Sequence, residues 1–175
     1  STSDQTLVTA YSYDSIGRLT GGSAKGTTGA SSKDWSDGPP KTLVESSKAE
    51  GTITQQFVVI NGSLKIKNSR SISETTLSNE NNQTQDLTVA YTYDDRGNTL
   101  TARGIGISGS VERGWTDTSD PLDGIGDVFV VVGRQTGVIT QDYSVVNNRA
   151  CLVFSRNVST TLDPDTKAPL REGDD

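Results

Sequence analysis

One eight-residue string, Leu7-Val8-Thr9-Ala10-Tyr11-Ser12-Tyr13-Asp14, returns 80 residues later as Leu87-Thr88-Val89-Ala90-Tyr91-Thr92-Tyr93-Asp94. Gly17 and Gly97 keep the same offset, as do Trp35-Ser36-Asp37 and Trp115-Thr116-Asp117, which contain the chain's 2 tryptophans. Further on the offset grows to 86: Ile53-Thr54-Gln55-Gln56-Phe57 aligns with Ile139-Thr140-Gln141-Asp142-Tyr143. Lys48 and Gly51 then match Arg134 and Gly137, and Ser69-Arg70 matches Ser155-Arg156. The second copy therefore carries about six extra residues between Trp115 and Ile139, placed in the acidic, glycine-bearing stretch 118–127. A chain built this way must fold as one small unit used twice. The copies span 1–80 and 81–162, and an acidic tail follows at 163–175.

The repeated unit reads as β-structure. Leu7, Thr9, Tyr11 and Tyr13 alternate with Val8, Ala10 and Ser12, which is the period of a strand. Asp14 to Gly17 then supplies turn chemistry, and the same strand and turn recur from Leu87 to Gly97. Phe57-Val58-Val59-Ile60-Asn61-Gly62-Ser63-Leu64-Lys65-Ile66 is a hairpin sequence, because Asn-Gly accepts positive φ at both central positions of a type I′ turn. The second copy places Asn147-Asn148 there. Serine and threonine make up about a quarter of the chain, a mixture poor in helix formers. The expected fold is all-β, a tandem duplication of a small antiparallel β-sandwich or barrel-like unit with little helix. Residues 127–132, with the run Val128-Phe129-Val130-Val131-Val132, read as a strand buried on both faces. Residues 21–32, rich in glycine and serine, read as a long mobile loop.

Charge and missing residue types narrow the chemistry. The net charge of −6 and the scattered basic residues disfavour nucleic acid and anionic lipid, both of which need clustered cations. No apolar run approaches the roughly 20 residues of a membrane span. No signal peptide is visible at Ser1, although a signal already removed leaves no trace. With 0 histidines there is no Ser-His-Asp triad, no Cys-His pair and no histidine metal site. The 1 cysteine, Cys151, falls in a predicted strand and reads as structural, since a reactive thiol needs an electropositive, accessible setting. The expectation is a protein that is not an enzyme and carries no cofactor.

Three groups of side chains are candidates for a site. Asp117, Asp120, Asp123 and Asp127 share a loop with Gly124 and Gly126, and calcium favours several oxygens from such a loop. A solvated acidic loop is the plainer reading. Tyr11, Tyr13, Trp35, Tyr91, Tyr93 and Trp115 are the repeated aromatics, able either to stack on sugar rings or to anchor the small core of each half. For the tryptophans the core is the expected role. Asp14 and Asp94 are a repeated carboxylate pair, and carboxylates alone can hydrolyse glycosides. Each sits where a turn wants an acceptor for its own backbone.

The strings Tyr11-Ser12-Tyr13-Asp14-Ser15-Ile16-Gly17-Arg18-Leu19 and Tyr91-Thr92-Tyr93-Asp94-Asp95-Arg96-Gly97-Asn98 resemble the tyrosine-aspartate signature of Rhs-type repeats. That resemblance implies β-hairpin shells of the kind found in large bacterial surface and toxin proteins. It covers about ten residues at each site, and the signature recurs there every twenty-odd residues against 80 here, so the longer duplication accounts for the pair without it. The functional expectation is a non-enzymatic structural subunit of a self-assembling extracellular or viral particle: capsid, decoration, tail or filament. Its partners would be copies of itself or other structural subunits, located in a virion or at a cell surface. The extra stretch 118–127 and the tail would make subunit contacts. The alternative is a carbohydrate-binding, lectin-like adhesion module using the aromatics.

Overall fold

The computed structural model describes residues 1–35, 40–115 and 129–169. Among them there is no helix, and eight antiparallel strands form one sheet in sequence order: β1 (Thr2–Tyr13), β2 (Leu19–Trp35), β3 (Leu43–Ile60), β4 (Ser63–Leu77), β5 (Asn82–Tyr93), β6 (Thr99–Trp115), β7 (Phe129–Val146) and β8 (Arg149–Leu162). Each strand pairs with its sequence neighbour, so the chain is a continuous meander. The all-β, antiparallel expectation holds. The sandwich or barrel does not appear: the described residues form a single open sheet, with β1 and β8 as its edges.

The pairing registers repeat with the sequence. Leu7 faces Gly26 in β1/β2 as Leu87 faces Gly106 in β5/β6, and each pair of strands shifts register before its second tyrosine, Tyr13 or Tyr93. Lys25 faces Thr54 as Ile105 faces Thr140, with shifts after Ser32 and after Glu112. Phe57 faces Ile66 as Tyr143 faces Leu152. Trp35 pairs with Leu43, eight residues on, whereas Trp115 pairs with Phe129, fourteen residues on. The extra residues therefore fall between Trp115 and Phe129. The first four strands join the last four edge to edge, since β4 pairs with β5 from Asn68↔Ala90 to Thr76↔Asn82.

The turns follow their chemistry. Asn61 and Gly62 take φ of 50° and 75°, and Asn147 and Asn148 take 50° and 63°, the left-handed pair that a two-residue hairpin needs. Two expectations are corrected. Residues 21–32 lie within β2, because pairing with β1 on one side and β3 on the other satisfies a backbone whose side chains signal a loop. Of the expected buried strand at 127–132, residues 127 and 128 lie outside the described residues; Phe129 to Val131 are only half-buried and Val132 is 48% exposed, because among the described residues no second layer covers that strand. Among the described residues the buried apolar side chains are Ala24, Val89, Ala102 and Ile139, and no large side chain is fully buried. This sheet has almost no core.

Candidate functional site

Alternation along each strand, carried across the pairing registers, gives the sheet two chemically distinct faces. One face runs from Leu7 through Gly26, Ile53, Ser71, Leu87, Gly106 and Ile139 to Asn157. Its neighbouring rows add Gln5, Thr28, Gly51, Ser73, Gln85, Ser108, Gly137 and Ser159. Between the register shifts this face carries serine, threonine, glycine, alanine, glutamine, Asn157, Tyr11, Tyr91 and a few aliphatics, and its one charge is Glu112, beside a shift. The opposite face carries Asp4, Lys25, Lys48, Glu50, Arg70, Glu74, Asp86, Arg103, Arg134, Asp142 and Arg156. Every buried strand residue, from Ala24 to Ile139, lies on the uncharged face. No single residue string announces this segregation, because it appears only when the registers are known.

The repeated aromatics divide into two groups at opposite ends of the strands. Tyr11, Tyr13, Tyr91 and Tyr93 lie near the Asp14 and Asp94 turns, while Trp35 and Trp115 end β2 and β6. A 17-residue strand separates the two ends by about 55 Å. The tyrosine pairs of β1 and β5 are four strands apart, roughly 19 Å, and so are the tryptophans of β2 and β6. Trp35 is 62% exposed and Trp115 67%, so neither anchors a core. Trp115 stacks at a tilt on Phe129, with centroids 5.1 Å apart, and among the described residues the single-layer sheet offers no interior for either ring. Tyr11 and Tyr13 are also exposed, while Tyr91 and Tyr93 are half-buried. Tyr93 donates its hydroxyl proton to the Ile66 carbonyl at 2.7 Å. Burial, with Tyr91 nearby, pushes the Tyr93 and Tyr143 hydroxyls above the usual tyrosine range.

Both repeated aspartates are consumed by their turns. Asp14 Oδ1 accepts from the Ile16 and Arg18 N–H groups at 3.0 and 2.8 Å, and Oδ2 accepts from Arg18 Nε at 2.8 Å. Asp94 repeats the arrangement with Arg96 N–H, Asn98 N–H and Asn98 Nδ2 at 2.9, 2.7 and 2.8 Å. Gly17 and Gly97 close the two turns at φ of 81° and 84°. These bonds, led by the Arg18 and Asn98 side chains, hold both carboxyls below the ordinary aspartate range. Carboxylates tied up in this way are poor general acids.

On the charged face a shallow groove of about 670 Å³ passes Asp4, Glu45, Lys48, Glu50 and Glu74. Lys48 Nζ sits 2.6 Å from Glu50, and Asn82 donates to Glu74. No cluster of three metal-ligating side chains occurs among the described residues. Asp117, Asp120, Asp123 and Asp127 lie outside the described residues. Cys151 is in β8, as expected, but exposed, with Arg149 O as its contact at 3.9 Å. The tail residues 163–169 turn back on their own chain: Arg134 Nε donates to Pro164 O at 3.0 Å, and Pro169 bridges Leu162. Comparison with protein-family models, curated proteins and solved structures finds no match.

Proposed function

We propose that the chain is a duplicated, non-enzymatic structural subunit that assembles with copies of itself in a virion or at a cell surface. The observation that carries this reading is the coreless sheet with one nearly uncharged face. A sheet must bury one face to be stable, and here the described residues bury almost nothing. The missing layer is then supplied by other subunits, and the sandwich expected within each half arises between chains. The test is light scattering of the purified protein across concentration, with negative-stain microscopy of any large species. Rings, shells or filaments support the reading, and a stable monomer at high concentration overturns it.

A second reading has an observation of its own. Trp35 and Trp115 are exposed at matching positions of the two copies, Tyr11 and Tyr13 are exposed in the first copy alone, and exposed rings can stack on sugars. A glycan array tests it: hits lost in both Trp35→Ala and Trp115→Ala support an adhesion module. An empty array, or hits unaffected by those changes, argues against one.

A further inference from the structure

Among the described residues the two edge strands of the sheet, β1 and β8, match the two strands that pair at its centre. By sequence and register β8 is the counterpart of β4, and β1 is the counterpart of β5. Inside the chain β4 and β5 pair through nine residues. We propose that the β8 edge of one copy pairs with the β1 edge of the next in that same register. The inference rests on the self-assembly reading and specifies its contact.

Carrying Asn68↔Ala90 forward by the two offsets sets Phe154 opposite Ala10, Arg156 opposite Val8, Val158 opposite Thr6 and Thr160 opposite Asp4. The chemistry suits this pairing. Natural edge strands are blunted by proline, by charge or by shortness. β1 has 12 residues, no proline and one charge, Asp4; β8 has 14 residues, no proline and two charges, Arg149 and Arg156. Val8, Phe154 and Val158 are 67%, 52% and 50% exposed there. No two like charges meet across the junction. Among the described residues only its last position is taken: Pro169 pairs with Leu162, where Thr2 would sit, much as Asn82 pairs with Thr76 after the preceding turn. Asp163 N–H donates to Ala168 O at 2.8 Å, as Leu77 N–H donates to Asn81 O at 2.9 Å. An edge-to-opposite-edge contact is heterologous, so repetition yields rings if the rotation closes and filaments if it does not.

The test uses the full chain in a Cys151→Ser background. Thr9 and Ser155 face each other in the proposed register, at the Cα separation a disulfide needs. Thr9→Cys with Ser155→Cys should give a ladder of disulfide-linked species under mild oxidation. Thr9→Cys with Ser159→Cys, displaced by four residues, should not. Val8→Lys, facing Arg156, should raise the concentration needed for assembly by about fivefold or more, and adding Arg156→Glu should restore it. Far-UV circular dichroism verifies that each variant folds. If the unmodified protein assembles but Val8→Lys changes nothing, the displaced pair cross-links equally, or Thr9→Cys alone gives dimers, this junction is wrong and self-assembly stands. If the unmodified protein stays monomeric, both fall.

Discussion

At the β1–β2 turn a single carboxylate accepts three hydrogen bonds, and the β5–β6 turn repeats the device with Asp94. The pairing of such an aspartate with a turn glycine is local chemistry, so it is legible without a structure. The folded state holds Asp14, Asp86, Asp94 and Asp163 below the ordinary value, so their contribution is present above the unfolded pKa near 3.9 and is lost as pH falls through the folded one. The melting temperature should therefore drop on acidification from about pH 5 to about pH 2. A double Asp14→Ala, Asp94→Ala variant should melt lower at neutral pH and lose less on acidification, a comparison calorimetry makes directly. The tryptophans were not legible in the same way, because a ring's side of a sheet depends on whether a second layer exists. At 62% and 67% exposure, Trp35→Ala or Trp115→Ala should cost less than about 1 kcal/mol in denaturant unfolding, against about 3–5 for a core tryptophan. Acrylamide should quench both rings readily. A loss of core size would mean that each indole is buried after all.

Among elements, β2 shows why composition misleads. Its run Gly21-Gly22-Ser23-Ala24-Lys25-Gly26 looks like a linker, yet Gly26 is required by close backbone approach. A Cβ there would strike the Thr6 carbonyl and come within 2.9 Å of Leu7 Cα. At Gly106 the same atom would strike the Asp86 carbonyl and approach Leu87 Cα to 2.9 Å. Both are backbone contacts, which cannot swing aside as a side chain would. Gly106→Val should part β5 from β6 and destabilise the fold by about 2–4 kcal/mol. Hydrogen exchange should show faster amides around Leu87 and Ile105 while the β7–β8 pair keeps its protection. Uniform loosening across the sheet, or none, would refute the local clash. The Asn61-Gly62 and Asn147-Asn148 hairpins were readable for the opposite reason: positive φ is a property of the residues themselves, whereas close approach belongs to the pairing.

For the whole molecule, the deciding feature is the segregation of charge between two faces of one layer. The sequence carries it as alternation in each strand, but which alternate sets share a face depends on seven registers and their shifts, so a linear reading misses it. A face of serine, glycine, glutamine and scattered aliphatics loses less on leaving water than the face with Asp4, Glu50, Arg70 and Asp86, provided its hydroxyls and amides find hydrogen-bond partners. If assembly covers the uncharged face, a lysine placed there must be desolvated without a partner. Gln85 and Thr84 are adjacent in β5, both exposed, and point to opposite faces. Gln85→Lys should therefore raise the assembly concentration about tenfold or more, equivalent to about 1.4 kcal/mol, whereas Thr84→Lys should shift it little. Both add the same charge to the same strand, so net charge and strand propensity cancel in the comparison. Sedimentation velocity of the two variants at matched concentrations reads the difference. Equal behaviour would mean that the uncharged face stays in water within the assembly. The edges would then carry the association alone, and the segregation would have another origin.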